Sequence, residues 1–143
     1  MANKKIIFLS FTLLVCAFII FSNRINQKKS VEKKVIFTQK EVVIDEAHFL
    51  FKPIFEKKNE LEKLKVLIEI TSYIDAELLN LNYKKNSMLE FDEHFLQAKE
   101  FQVIEKTNHK LIGHLIFELS KFNVAEPFGI KLFTYSDNEV YWN

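Results

Sequence analysis

The residues of this 143-residue chain that could do chemistry are few. The histidines are His48, His94, His109 and His114. Helical metal-ligand pairs need i,i+3 or i,i+4 spacing. His109 and His114 stand five apart, so on a helix they diverge by about 140°. Asp45/His48 and Glu105/His109 have usable spacing, but a carboxylate-bridged di-metal bundle needs Glu-x-x-His motifs, and the chain has none. No metal site and no cofactor are expected. The serines lack a G-x-S-x-G elbow, and Cys16, the single cysteine, lies in an apolar run unsuited to a reactive thiolate. Gly113 and Gly129 stand alone, which excludes a glycine-rich phosphate loop. Arg24 is the only arginine, so a site built on several guanidinium forks is excluded as well. An enzyme would have to assemble its site from dispersed acids such as Asp45, Glu46, Asp75 and Glu77.

Val42–His48 reads VVIDEAH and resembles the DEAH box of helicases, in which the first acid holds the Mg²⁺ of bound ATP. That family also needs a G-x-x-x-x-G-K-[ST] stretch and two ATPase lobes. The chain has no such stretch and is too short for the lobes, so the seven-residue match is coincidental. Asp45, Glu46 and His48 are read as polar positions of a helix.

The C-terminal segment carries the best binding chemistry. Phe133, Tyr135, Asp137, Asn138, Tyr141 and Trp142 include the only tryptophan and two of the four tyrosines. Tyr and Trp are favoured at binding hot spots, and these flank a polar turn at Ser136-Asp137-Asn138-Glu139. They are the candidate partner-binding residues.

The elements expected to position these groups are mainly helical. Two glycines and two prolines are few for the tight turns of a sandwich or barrel. Thr38 and Glu41 have capping-box spacing and open a helix over about 39–51, with a hairpin over 35–44 as the rival. Leu61, Leu64, Leu67, Ile68, Ile70, Ile74, Leu78 and Leu81 read as one stripe of a helix over 54–81. A second capping box, Ser87 and Glu90, starts another stripe that runs to Phe122, weakened at Thr107-Asn108 and Gly113. The short link 82–86 makes these two an αα-hairpin. The whole of 35–143 is thus expected to be a three-helix bundle with a small β-hairpin over about 128–143, pairing Phe133 with Trp142 and Tyr135 with Val140.

Ile6–Ser22 holds seventeen uncharged residues, about 25 Å as a helix. Lys4 and Lys5 precede it, and Arg24, Lys28 and Lys29 follow. It is read as a transmembrane anchor or a signal peptide, with 23–34 as a charged linker. Residues 30–143 carry fifteen lysines against nineteen acids, interspersed, which is a poor footprint for nucleic acid. The expectation is a single-pass membrane-tethered, or exported, non-enzymatic protein-binding module with its domain outside the cytoplasm. It would meet lipid through 6–22, and no small-molecule substrate is evident. An immunity or inhibitor protein, or an accessory subunit of an envelope or secretion complex, would look like this.

Overall fold

Buried and half-exposed side chains alternate with a period of two from Ala47 onward. Phe49, Phe51 and Phe55 are buried between Leu50, Lys52 and Ile54, and Leu64, Val66, Ile68 and Ile70 repeat the pattern. That periodicity is the signature of a strand with one face on a core. The computed structural model describes residues 32–143 and contains ten antiparallel strands. They are β1 (Glu32–Ile36), β2 (Lys40–Ile44), β3 (Ala47–Lys58), β4 (Leu61–Thr71), β5 (Ser87–Phe91), β6 (His94–Gln97), β7 (Glu100–Lys106), β8 (Lys110–Leu119), β9 (Phe128–Phe133) and β10 (Asp137–Trp142).

The expected mainly α three-helix bundle is therefore corrected. The segment 39–51 forms β2 and the start of β3, 54–81 is chiefly β3 and β4, and 87–122 is β5 to β8. The only helical element among the described residues is a 3-10 turn at Leu78–Asn80. No described helix is long and apolar enough to cross a membrane. The segment Ile6–Ser22, read as a transmembrane helix, lies outside the described residues, as do Cys16 and most of the linker.

The larger sheet has the order β1-β3-β4-β8-β7, with β2 pairing β3 beside β1. The smaller has the order β10-β9-β5-β6. Their inner faces share one core, in which Phe51, Phe128 and Trp142 meet: the Trp142 ring stacks on Phe128 at 5.1 Å and meets Phe51 edge-on at 6.3 Å. One flank closes where β6 runs into β7, since Ala98 N–H bonds Ser87 in the smaller sheet and Lys99 N–H bonds Ile116 in the larger.

Along the other flank, β1 and β2 are two halves of one strand interrupted at 37–39, opposite Pro53. Pro53 has no N–H to donate. Phe37 N–H donates to the Pro53 carbonyl at 3.1 Å, so the side of Pro53 lacking a donor faces the interruption. The irregular segment leaves the Thr38 carbonyl free of the ladder, and the Trp142 indole N–H takes it at 2.7 Å.

The tight turns are made without glycine. Asp45-Glu46 joins β2 to β3 and Asp92-Glu93 joins β5 to β6, all four residues at positive φ (48°, 65°, 43° and 60°). This is the two-residue hairpin geometry that usually selects Asn-Gly. A side chain in the left-handed region costs about 1–2 kcal/mol. Glu46→Gly and Glu93→Gly should each raise stability by about 0.5–1 kcal/mol, after the extra unfolded-state entropy of glycine is subtracted. The check is a higher urea midpoint at unchanged m-value; a lower midpoint in both variants contradicts the turn geometry.

Candidate functional site

On the smaller sheet, the strand alternation that buries Leu89, Ile130 and Val140 turns Met88, Glu90, Lys131, Phe133, Glu139 and Tyr141 outward. Met88, Lys131 and Glu139 share one cross-strand row, and Glu90, Gly129 and Tyr141 the next. Phe95 of β6 sits opposite Glu90 and is 54% exposed.

Lys131 is the centre of this face. Its Nζ lies 2.6 Å from Glu90 Oε2, 3.7 Å from Glu139 Oε1 and 4.8 Å from the Phe95 ring centroid. The Glu90 hydrogen bond raises the Lys131 pKa, and the same bond holds the Glu90 carboxyl below its ordinary range. Tyr141, hydrogen-bonded to Glu139, is raised above the ordinary phenol range. Gly129 makes room for these side chains: a Cβ there would lie 3.0 Å from both the Tyr141 ring and Glu139 Oε1.

A cleft of about 460 Å³ opens beside the lysine, walled by Met88, Phe95 and Phe133 and rimmed by Asp137, Asn138 and Glu139. A smaller one, about 300 Å³, lies past Tyr141, among Glu90, Asp92, Glu93 and Glu126.

The β9–β10 turn beside the larger cleft is locked from the other sheet. Asp45 accepts from the Thr134 hydroxyl at 2.5 Å, the Ser136 hydroxyl at 3.1 Å and the Tyr135 N–H at 3.3 Å. Tyr135 donates its hydroxyl to Asp75 Oδ2 at 2.6 Å, and Asp75 Oδ1 accepts the Glu77 N–H at 2.7 Å. That bond lowers the Asp75 pKa and pushes the Tyr135 hydroxyl up to about 12. Asn138 donates to Thr134 Oγ1 and to the Ser136 carbonyl. Asp45 and Asp75 are thus brought to one end of the sandwich, but their oxygens are engaged in holding loops. Glu46 lies exposed in its turn.

Of the sequence-derived partner residues, Phe133, Asp137 and Asn138 line the larger cleft and Tyr141 lines the smaller. Tyr135 is exposed but tied to Asp75. Trp142 is 4% exposed and belongs to the core. The hairpin register differs from that expected: Phe133 faces Asp137, and Trp142 faces Phe128. Sequence reasoning missed Met88, Glu90 and Phe95 as site residues; Lys131 and Glu139 lie in the C-terminal segment it favoured, Glu139 as part of the polar turn and Lys131 without being singled out. The signal was available as alternation, since Met88 and Glu90 flank buried Leu89.

The histidines are dispersed. His48 and His94 are exposed on their strands, His109 packs against Tyr73 at 5.2 Å, and His114 lies on the outer face of the larger sheet. Burial, then the nearby Lys65, lowers the His114 pKa. Among the described residues no three His, Cys, Asp or Glu side chains converge as a metal would require. No family model, curated protein or solved structure matches the chain.

The Glu90–Lys131 pair carries a pH signature. A depressed carboxyl stabilises the fold above its unfolded pKa, and that stability is lost as pH falls through the folded value. Stability should therefore decline below about pH 4.5. In Glu90→Gln the difference between urea midpoints at pH 7 and pH 3.5 should shrink. An unchanged difference shows that the pair makes no contribution.

Proposed function

We propose that the chain is a non-enzymatic protein-binding module, tethered to a membrane or exported through Ile6–Ser22, that engages its partner with the outer face of the smaller sheet. The observation that carries this reading is the cleft itself. Exposed Phe95, with Met88 and Phe133, surrounds a polar centre of Lys131, Glu90 and Glu139. Interface cores combine apolar and aromatic anchors with a few placed polar groups in this way. The rival reading, an enzyme working through Asp45, Glu46, Asp75 and Glu77, is disfavoured because Asp45 and Asp75 spend their oxygens on loop hydrogen bonds. Inhibition of a toxin or hydrolase at the membrane, or service in an envelope or secretion complex, are roles such a module would suit.

The test is photocrosslinking in cells with p-benzoylphenylalanine in place of Phe95 or, as a control, of Lys65 on the outer face of the larger sheet. One discrete adduct from position 95 is expected, with none from position 65. An adduct from position 65 alone, or from neither, overturns the reading.

A further inference from the structure

The chemistry of the two clefts specifies more than their location, if the smaller sheet is the contact face proposed above. Six carboxylates line them: Glu90, Asp92, Glu93, Glu126, Asp137 and Glu139. Among the described residues the only cation lining either is Lys131. It is committed to Glu90 at 2.6 Å and reaches Glu139 only at 3.7 Å. The remaining acids have no cation among the described lining residues. These acids do not stand in open solvent alone, because Met88, Phe95 and Phe133 wall the larger cleft and Phe91, Pro127 and Tyr141 the smaller. An occupant pressed against such walls excludes water, which strengthens each charge pair it makes.

Lys131 itself displays the mode of binding that the cleft supports. Its ammonium sits between two carboxylates and over an aromatic ring, and a cation over a ring is attracted by the ring's negative face. Phe95 offers further exposed ring surface to a second cation. The two clefts lie in line along β9, from Phe133 to Pro127. That is seven residues, whose six steps span about 20 Å of extended chain.

We propose that this face receives an extended, lysine- or arginine-bearing segment of a protein partner, its apolar atoms against Met88, Phe95 and Phe133 and its cations against Asp137, Glu139 and the acids beyond Tyr141. The same carboxylates repel phosphate, so neither nucleic acid nor anionic lipid headgroups fit the face.

The test uses the full-length protein in neutral detergent micelles and two fluorescent probes, hexalysine and hexaglutamate, read by anisotropy. Hexalysine should bind and hexaglutamate should not. Combining Asp137→Asn with Glu139→Gln should weaken hexalysine at least fivefold. The equal charge change of Glu100→Gln with Glu118→Gln, on the larger sheet, should alter it less than twofold. Phe95→Ser should also weaken it, and Phe95→Leu serves if the serine variant fails to fold. Equal loss in both charge pairs, no hexalysine binding, or binding of hexaglutamate overturns the proposal. Failure of the two readings can be told apart. A crosslink from position 95 that hexalysine does not compete for keeps the contact face and rejects the basic partner. No crosslink from that position rejects the contact face itself.

Discussion

Trp142→Ala should cost about 3–5 kcal/mol of stability, the range for removing a large aromatic from a core. The ring is 4% exposed, stacks on Phe128 and meets Phe51 edge-on. Its indole N–H is also the donor for the Thr38 carbonyl at 2.7 Å, at the interruption between β1 and β2. Alanine therefore leaves a cavity in the core and a carbonyl without its partner at the flank. The two losses can be separated. Trp142→Phe keeps one aromatic ring in the core and removes the donor with the rest of the indole, so it should cost clearly less than alanine, about 1–2 kcal/mol. Urea unfolding of both variants is the check, and an alanine cost below about 1 kcal/mol would place the ring outside the core. Binding per folded molecule should be unchanged in either variant, since Trp142 lines neither cleft.

Gly113→Ala should be the more damaging of the two glycine substitutions, at about 1–3 kcal/mol. A Cβ at position 113 would lie 2.4 Å from the Phe101 ring and 3.0 Å from the Gln102 carbonyl. The ring cannot simply withdraw, because its neighbour at 5.5 Å is the buried ring of Tyr83, whose hydroxyl is anchored to the Leu78 carbonyl. Gly129 differs: its would-be Cβ meets the Glu139 and Tyr141 side chains at 3.0 Å, and these can swing toward solvent. Calorimetry of Gly113→Ala, Gly129→Ala and the double variant Gly113→Ala/Phe101→Leu tests the idea. The double variant should recover part of the loss. If Gly129→Ala is the costlier single change, the account of Phe101 is wrong.

The C-terminal hairpin was legible because β-branched and aromatic runs flank a turn rich in Ser, Asp and Asn, and no helical period competes there. The remaining strands were not, for two physical reasons visible in particular residues. The outer face of the larger sheet is itself partly aliphatic. Leu67 pairs with Lys52 on one side and His114 on the other, so Leu50, Ile54, Ile112 and Ile116 sit at its diagonals. Those residues add apolar positions between the inward ones, and the sum of two faces imitates the three-to-four spacing of a helix. The scarcity of glycine then removed the usual counter-signal, because Asp45-Glu46 and Asp92-Glu93 adopt turn angles that sequence statistics reserve for glycine and asparagine. The candidate site was half legible for the same reason. Phe133, Asp137 and Asn138 lie in the hairpin that was read as β, whereas Met88 and Phe95 fall within 87–122, the stretch read as a helical stripe.

The closure of the flank has a consequence for time. Thr38 and Trp142 are 104 positions apart, and Asp45 reaches Thr134 across 89. Bringing such distant partners together costs loop entropy before any contact rewards it, and folds dominated by distant pairings take milliseconds to seconds to form. The hairpins β2–β3, β3–β4 and β5–β6 can pair locally as they emerge, but β1 and β2 wait for β10 before their interruption is sealed. The contact that seals the interruption is therefore among the last that a chain growing from its N-terminal side can complete, because its donor sits in the final strand.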